Sequence, residues 1–187
     1  MIKKTLRPFI GNEVDAVMGI ECGVWRDGGR IGVEYDIYGK LSHLVIPEHV
    51  SGATGRRLDE LWRHTCFELF VKEAGEKKNA YLECNFAPSG AWNVYSFSSH
   101  RKDMVQADIA TTPEITTTPT KKIYSLRAEV DLTGLVPESS NVDIGVCCVV
   151  ENRNGKQGYW ALSHLGETPD FHDSRSFLIK LIGTKPN

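Results

Sequence analysis

The sequence lacks the motifs that mark the commonest enzyme classes. It has no G-x-x-x-x-G-K-[ST] phosphate loop, no G-x-G-x-x-G turn, no G-x-S-x-G elbow and no H-E-x-x-H pair. Its histidines (His43, His49, His64, His100, His164 and His172) show no zinc-type spacing. Neither charge dominates: 22 Lys and Arg stand against 24 Asp and Glu, for a formal net charge of -2. That excludes the basic field of a nucleic-acid binder or of a protein that docks on membranes through basic residues. Nor is any apolar run long enough to span a bilayer. Cys22, Cys66, Cys84, Cys147 and Cys148 are odd in number, form no C-x-x-C pair and lie in strand-like runs. Buried free thiols in a reducing cytoplasm are expected. The N-terminus opens with Lys3, Lys4 and Arg7, but Pro8, Asn12, Glu13 and Asp15 break any apolar stretch behind them. A secretory signal is not expected.

What the sequence does have is alternation with a period of two. Met18, Ile20, Cys22 and Val24 alternate with Gly19, Glu21 and Gly23, and Ile31, Val33, Tyr35 and Ile37 follow the same rule. Arg26-Asp27-Gly28-Gly29 between them is a tight-turn signal, so the pair reads as a hairpin. A short strand at Leu44-Val45-Ile46 ends at Pro47, and residues 48–57 read as a polar loop. Leu58, Leu61 and Trp62 have helical spacing and predict at most one or two short helical turns. Strands follow at Cys66–Val71, Tyr81–Phe86 and Ala91–Phe97, with turns at Ala74–Asn79 and at Pro88-Ser89-Gly90. The Thr- and Pro-rich stretch 107–122 reads as an extended loop or irregular edge strand. Strands at Tyr124–Val130, Ile144–Val150, Tyr159–Ser163 and Phe177–Ile182 complete the chain, with a turn at Asn152–Gly155. About ten strands at hairpin spacing predict one all-β antiparallel domain over residues 1–187, a sandwich or a barrel.

Three groups of residues are candidates for chemistry. Glu68 is a carboxylate among Cys66, Phe67, Leu69, Phe70 and Val71, so it needs water, a partner or a ligand. Glu83 and Asn85 oppose Leu82, Cys84 and Phe86, and Arg127 and Glu129 oppose Leu126, Ala128 and Val130. If those strands share a sheet, these polar groups form one face. It is either a solvated outer face with cross-strand ion pairs or a shallow binding face. Trp25, Trp62, Trp92 and Trp160 offer either flat platforms for a ring-shaped ligand or core packing, with Trp62 and Trp92 the preferred candidates. The loop from His164 to Asp173 collects His164, His172, Glu167, Asp170 and Asp173. It suits either ordinary turns or a metal or haem site. Arg101 stands ready to pair with a carboxylate ligand or with Glu83.

Several runs also resemble a known family. Leu61-Trp62-Arg63-His64-Thr65-Cys66-Phe67-Glu68-Leu69-Phe70 resembles one signature of the bacterial DOMON-like proteins, relatives of the family-nine carbohydrate-binding modules. Tyr81–Trp92, with Tyr95, Phe97 and Arg101, resembles a second. Tyr159–His164 followed by Pro169-Asp170-Phe171-His172 resembles a third, so the likeness spans residues 30–182. It implies a two-sheet antiparallel sandwich of jelly-roll or immunoglobulin-like character that holds sugars or haem. The function that follows is a non-catalytic module for a small polar, carbohydrate-like ligand. Its candidate site residues are Trp62, His64, Glu68, Glu83, Asn85, Trp92, Tyr95, Arg101, Trp160, His164, Asp170 and His172. The alternatives are a haem-binding domain using His64, His164 or His172, an acid–base enzyme pairing Glu68 or Glu83 with His64 or His164, and a plain interaction domain.

Overall fold

The computed structural model describes residues 1–49, 55–75 and 79–184. The core of the loop at 48–57 and of the turn at 74–79 therefore lies outside the described residues. Twelve strands are present in the described residues: β1 Ile2–Pro8, β2 Val17–Asp27, β3 Arg30–Gly39, β4 Cys66–Glu73, β5 Tyr81–Phe86, β6 Trp92–Phe97, β7 Val105–Gln106, β8 Glu114–Pro119, β9 Ile123–Asp131, β10 Val142–Glu151, β11 Gln157–Ala161 and β12 Ile179–Leu181. Every ladder between them is antiparallel, in the order β7-β6-β5-β4-β10-β11-β1-β2-β3-β9-β8, with β12 added beside β10.

β1 joins the two halves of this path. Its Ile2–Leu6 stretch pairs with β2, then Arg7 and Pro8 pair with Ala161 and Trp160 of β11. The alternation did not mark this strand, because Lys3, Lys4, Thr5 and Arg7 leave only Leu6 buried within it. The sequence also placed a strand at Leu44–Ile46. There the chain makes a 3-10 turn at Leu41–His43 and a single bridge from Leu44 to Asn152, since Pro47 cuts the segment short. Two further 3-10 turns, Leu61–Arg63 and Ser174–Ser176, bring the helical turns among the described residues to three, one more than expected.

Alternation explains the core. Ile20 and Val24 of β2, Val33, Tyr35 and Ile37 of β3, and Leu126 and Ala128 of β9 turn one way and are fully buried. They meet Phe67 and Leu69 of β4, Cys84 and Phe86 of β5, and Ile144, Val146 and Cys148 of β10. The path curls back on itself here. The Tyr35 ring lies 4.9 Å from that of Phe67, and its hydroxyl donates to the Glu68 carbonyl at 2.7 Å. Each buried side chain of this size contributes about 1.5–3 kcal/mol.

The turns follow their chemistry. Gly28, at φ +58, lets Asp27 pair with Arg30 across a two-residue loop. Because β4, β5, β6 and β10 are buried on both faces, their second face also needs a cover. Trp62 of the 3-10 turn and Phe171 and Phe177 of the C-terminal loop supply it. Gly145 makes this possible, since a Cβ there would lie 2.5 Å from the Phe177 ring.

Candidate functional site

The outward face of β4, β5, β6 and β10 is built by register. Glu68 stands opposite both Cys147 and Asn85, and Asn85 stands opposite Asn93. One step along, Phe70 stands opposite Glu83, and Glu83 opposite Tyr95. Period-two alternation thus places Glu68, Glu83, Asn85, Asn93 and Tyr95 on one side, behind the wall of core residues. None is more than 3% exposed. Such burial demands hydrogen bonds.

Most of these groups are satisfied locally. Asn85 Nδ2 donates to Glu83 Oε1 at 2.7 Å, and the Cys66 thiol donates to Asn85 Oδ1 at 3.4 Å. Asn93 Nδ2 donates to the Tyr95 hydroxyl at 2.8 Å and to Asp59 at 3.1 Å, and Tyr95 in turn donates to Asp59 at 2.8 Å. Arg57 Nε donates to Asn93 Oδ1 at 2.9 Å. Glu68 is the exception. Its Oε2 receives only a long 3.8 Å contact from the Cys147 thiol, and its Oε1 has no partner among the described residues.

Above Glu68 and Glu83 opens a cleft of about 500 Å³. Trp62, Phe97, Tyr159 and Phe171 line its sides, with Met104 and Val149, and Arg63, Arg101 and Gln157 supply polar groups. Trp62 is held edge-on to Tyr95 with ring centroids 5.5 Å apart, and Phe171 lies 6.1 Å from Tyr159. The arrangement is an apolar slot over an acidic floor.

Burial sets the protonation of the floor. It pushes the Glu68 carboxyl well above the ordinary carboxylate range, helped by the charge of Glu83. Burial also raises Glu83 to about 7, against the pull of Asn85 and Arg101. His172 is lowered to about 4, first by burial and then by the charge of Arg101. Its Nδ1 is 2.8 Å from the Tyr81 hydroxyl, and its Nε2 is 3.7 Å from Glu83. With the imidazole neutral and that separation beyond hydrogen-bond range, the second contact is a near neighbour and not an ion pair.

A second ridge borders the cleft. Arg101 Nε and Nη2 both reach Asp170 Oδ1, at 3.2 and 3.0 Å, and Asp170 Oδ2 is 2.7 Å from His100. Arg101 therefore pairs with Asp170 and not with Glu83. It does so from φ +55, a left-handed conformation unusual for a residue with a side chain. That geometry also points its backbone N–H at the Tyr81 hydroxyl, 3.1 Å away. Beyond the ridge lies a polar groove of about 740 Å³ containing Asn79, Ser99, Lys102, Thr168 and Arg175.

The structure therefore gathers Trp62, Glu68, Glu83, Arg101 and His172 at the cleft, with Asn85 and Tyr95 directly behind the floor and Asp170 on the ridge. It does not gather the others. Trp92 is buried in the inner core and its indole N–H donates to the Gly55 carbonyl at 3.0 Å, because residue 92 has the same parity as Val94. Trp160 is buried in the same core, on the parity opposite Tyr159. His64 projects to solvent against Glu151 at 2.9 Å, and His164 holds the Arg7 carbonyl at 2.9 Å. Neither reaches Glu68 or Glu83, so the acid–base pairings of the alternative reading are not formed, and the histidine nearest Glu83 is His172. Arg127 and Glu129 do not share the face of Glu68. They lie on β9, at the other end of the strand path, where they pair with each other at 2.6 Å and Arg127 covers Trp25 at 4.2 Å. No group of three or more His, Cys, Asp or Glu among the described residues is arranged to hold a metal ion.

Several contributors were missed. Tyr81, Asn93 and Phe97 share the outward parity of Glu83 and Asn85, a signal legible in the alternation. Tyr159 is likewise legible as the parity opposite Trp160, whereas Asp59 and Phe171 reach the site from loops that no local pattern encodes.

No family model and no curated protein sequence matches the chain. Solved structures do resemble it. A candidate carbohydrate-binding protein from Bacteroides uniformis superposes with a TM-score of 0.68 at 14% identity, covering 98% of this chain and 86% of that one. A family-nine carbohydrate-binding module from Caldicellulosiruptor kristjanssonii in complex with cellotriose gives 0.53 at 11% identity, over 89% of this chain and 76% of that one. A module of the same family and organism in complex with glucose gives 0.50 at 12% identity, over 97% and 94%. At these identities the likeness shows a shared all-β antiparallel fold.

Proposed function

We propose that this protein is a non-catalytic carbohydrate-binding domain whose ligand sits in the cleft bordered by Trp62, Tyr159 and Phe171. The observation that carries the reading is the cleft itself: aromatic sides over a floor of buried polar groups, one of them with an unused acceptor. Sugar rings present an apolar C–H face and a polar rim of hydroxyls. Aromatic rings suit the first, and Glu68, Glu83, Arg101 and Gln157 suit the second. The fold shared with modules seen in complex with cellotriose and glucose supports the same reading. It extends to a two-sheet sandwich of the DOMON-like kind, with β7-β6-β5-β4-β10-β11 as one sheet and β1-β2-β3-β9-β8 as the other. It extends also to a reducing compartment, which suits the free, buried cysteines and is checked by fractionating cells that express the protein.

Titration calorimetry with glucose and cellotriose tests the site. Binding is expected in the wild type and lost in Trp62→Ala, with Trp25→Ala, on β2 in the other half of the strand path, leaving it intact. Equal binding in all three proteins would place the ligand elsewhere, and none in the wild type would end the proposal.

A further inference from the structure

The floor of the cleft holds two buried carboxyl groups, Glu68 and Glu83, and among the described residues no Lys or Arg forms an ion pair with either. Glu68 and Glu83 are diagonal neighbours on β4 and β5, because Glu68 stands opposite Asn85 and Phe70 opposite Glu83. Such diagonal pairs lie about 7–8 Å apart. Glu83 is steadied by Asn85, but Glu68 Oε1 has no partner among the described residues although the residue is 3% exposed. A carboxyl oxygen at the floor of an open cleft, buried and unused, marks a place where a donor belongs.

The cations and titratable groups around this floor are engaged elsewhere. Arg101, from the turn after β6, is held through Nε and Nη2 on Asp170, which also binds His100, and it acts on Glu68 and Glu83 through its charge without pairing with either. Arg63, from the 3-10 turn, pairs with Glu60 at 2.8 Å. His172, from the C-terminal loop, is tied to Tyr81 and kept neutral by burial, and burial likewise keeps the Cys147 thiol of β10 protonated. The walls suit a cation as well, since Trp62, Phe97, Tyr159 and Phe171 present rings that attract cations.

We propose that this cleft selects a ligand carrying a protonated amine, with amino sugars preferred over neutral sugars and the ammonium seated on Glu68 and Glu83. The proposal rests on the carbohydrate reading and names its ligand class. A hydroxyl would fill the free acceptor on Glu68 but bring no charge to hold the pair ionised. An ammonium supplies three donors, a full charge and no acceptor, which matches two carboxyl groups with unused lone pairs. Seating it ionises the pair, so the proton that burial keeps on Glu68 leaves as the ligand enters.

Calorimetry of the full chain near neutral pH with D-glucosamine, D-glucose and N-acetyl-D-glucosamine tests this. Glucosamine is expected to bind about tenfold tighter than either neutral sugar. Its observed heat is expected to vary with buffer ionisation enthalpy by about one released proton. Glu68→Gln is expected to bring glucosamine down to the level of glucose. The wild-type ligand series decides the matter even if that variant fails to fold. Glucose binding as tightly as glucosamine would overturn this inference and leave the carbohydrate reading standing. Binding of none of the three sugars, nor of cellotriose, would overturn both. A glucosamine preference that persists in Glu68→Gln and in Glu83→Gln would overturn the placement of the ammonium.

Discussion

Replacing Glu83 by glutamine isolates the cost of burying a carboxyl at the floor of the cleft. In the folded chain this group titrates at about 7, against an ordinary 4.5, chiefly through burial. That difference corresponds to roughly 3 kcal/mol between its protonated and ionised forms. Between those two pH values the folded chain keeps a proton that the unfolded chain has given up. The contribution is therefore fully present below 4.5 and is lost as pH rises through about 7. Glutamine keeps the oxygen that accepts from Asn85 Nδ2 and carries no charge at any pH. Glu83→Gln should thus match the wild type near about pH 5 and exceed it progressively towards about pH 8, by up to about 3 kcal/mol. Urea unfolding across that range, with unchanged m-values, gives the difference directly. Stability curves that stay parallel from the acid to the alkaline end would refute the reasoning, because they would show that Glu83 is ionised in the folded state throughout.

His172 is expected to act in the opposite sense. Its imidazole is lowered from 6.5 to about 4, so its contribution is present above 6.5 and is lost as pH falls through that window. His172→Gln should flatten the acid limb of the same unfolding curves, and an unchanged acid limb would count against its burial. Trp92→Ala removes a core side chain and should cost about 3–5 kcal/mol of stability in chemical denaturation, where a surface site would cost almost nothing. Tyr35→Phe strips the buried donor from the Glu68 carbonyl and should cost about 1–3 kcal/mol by the same measurement, with a cost near zero showing that the bond contributes nothing.

Period-two alternation made most of the fold legible, because β3, β5, β6 and β9 each bury one set of side chains in a common core. It failed where strand formation depends on partners elsewhere in the chain. β1 is mostly Lys, Thr and Arg, and it forms because β2 and β11 offer it edges. Glu68 stood out in the sequence because a carboxylate in an apolar run is costly wherever it points. The same reasoning could not choose a face, so Arg127 and Glu129 looked equivalent to Glu83 and Asn85 until the register separated them. Trp92 and Trp160 show the reverse error. Each lies beside a residue of the outward face, and a shift of one residue turns a platform into core. The cover over the polar face was least legible, since Trp62, Phe171 and Phe177 arrive from segments with little regular structure.

A crystal structure with a bound sugar would locate the ligand outright. The sugar ring is expected against Trp62, Tyr159 or Phe171, with a donor of the ligand within hydrogen-bond distance of Glu68 Oε1. A sugar seated instead in the groove of Lys102 and Arg175, or on the outer surface around Trp25 and Arg127, would contradict it.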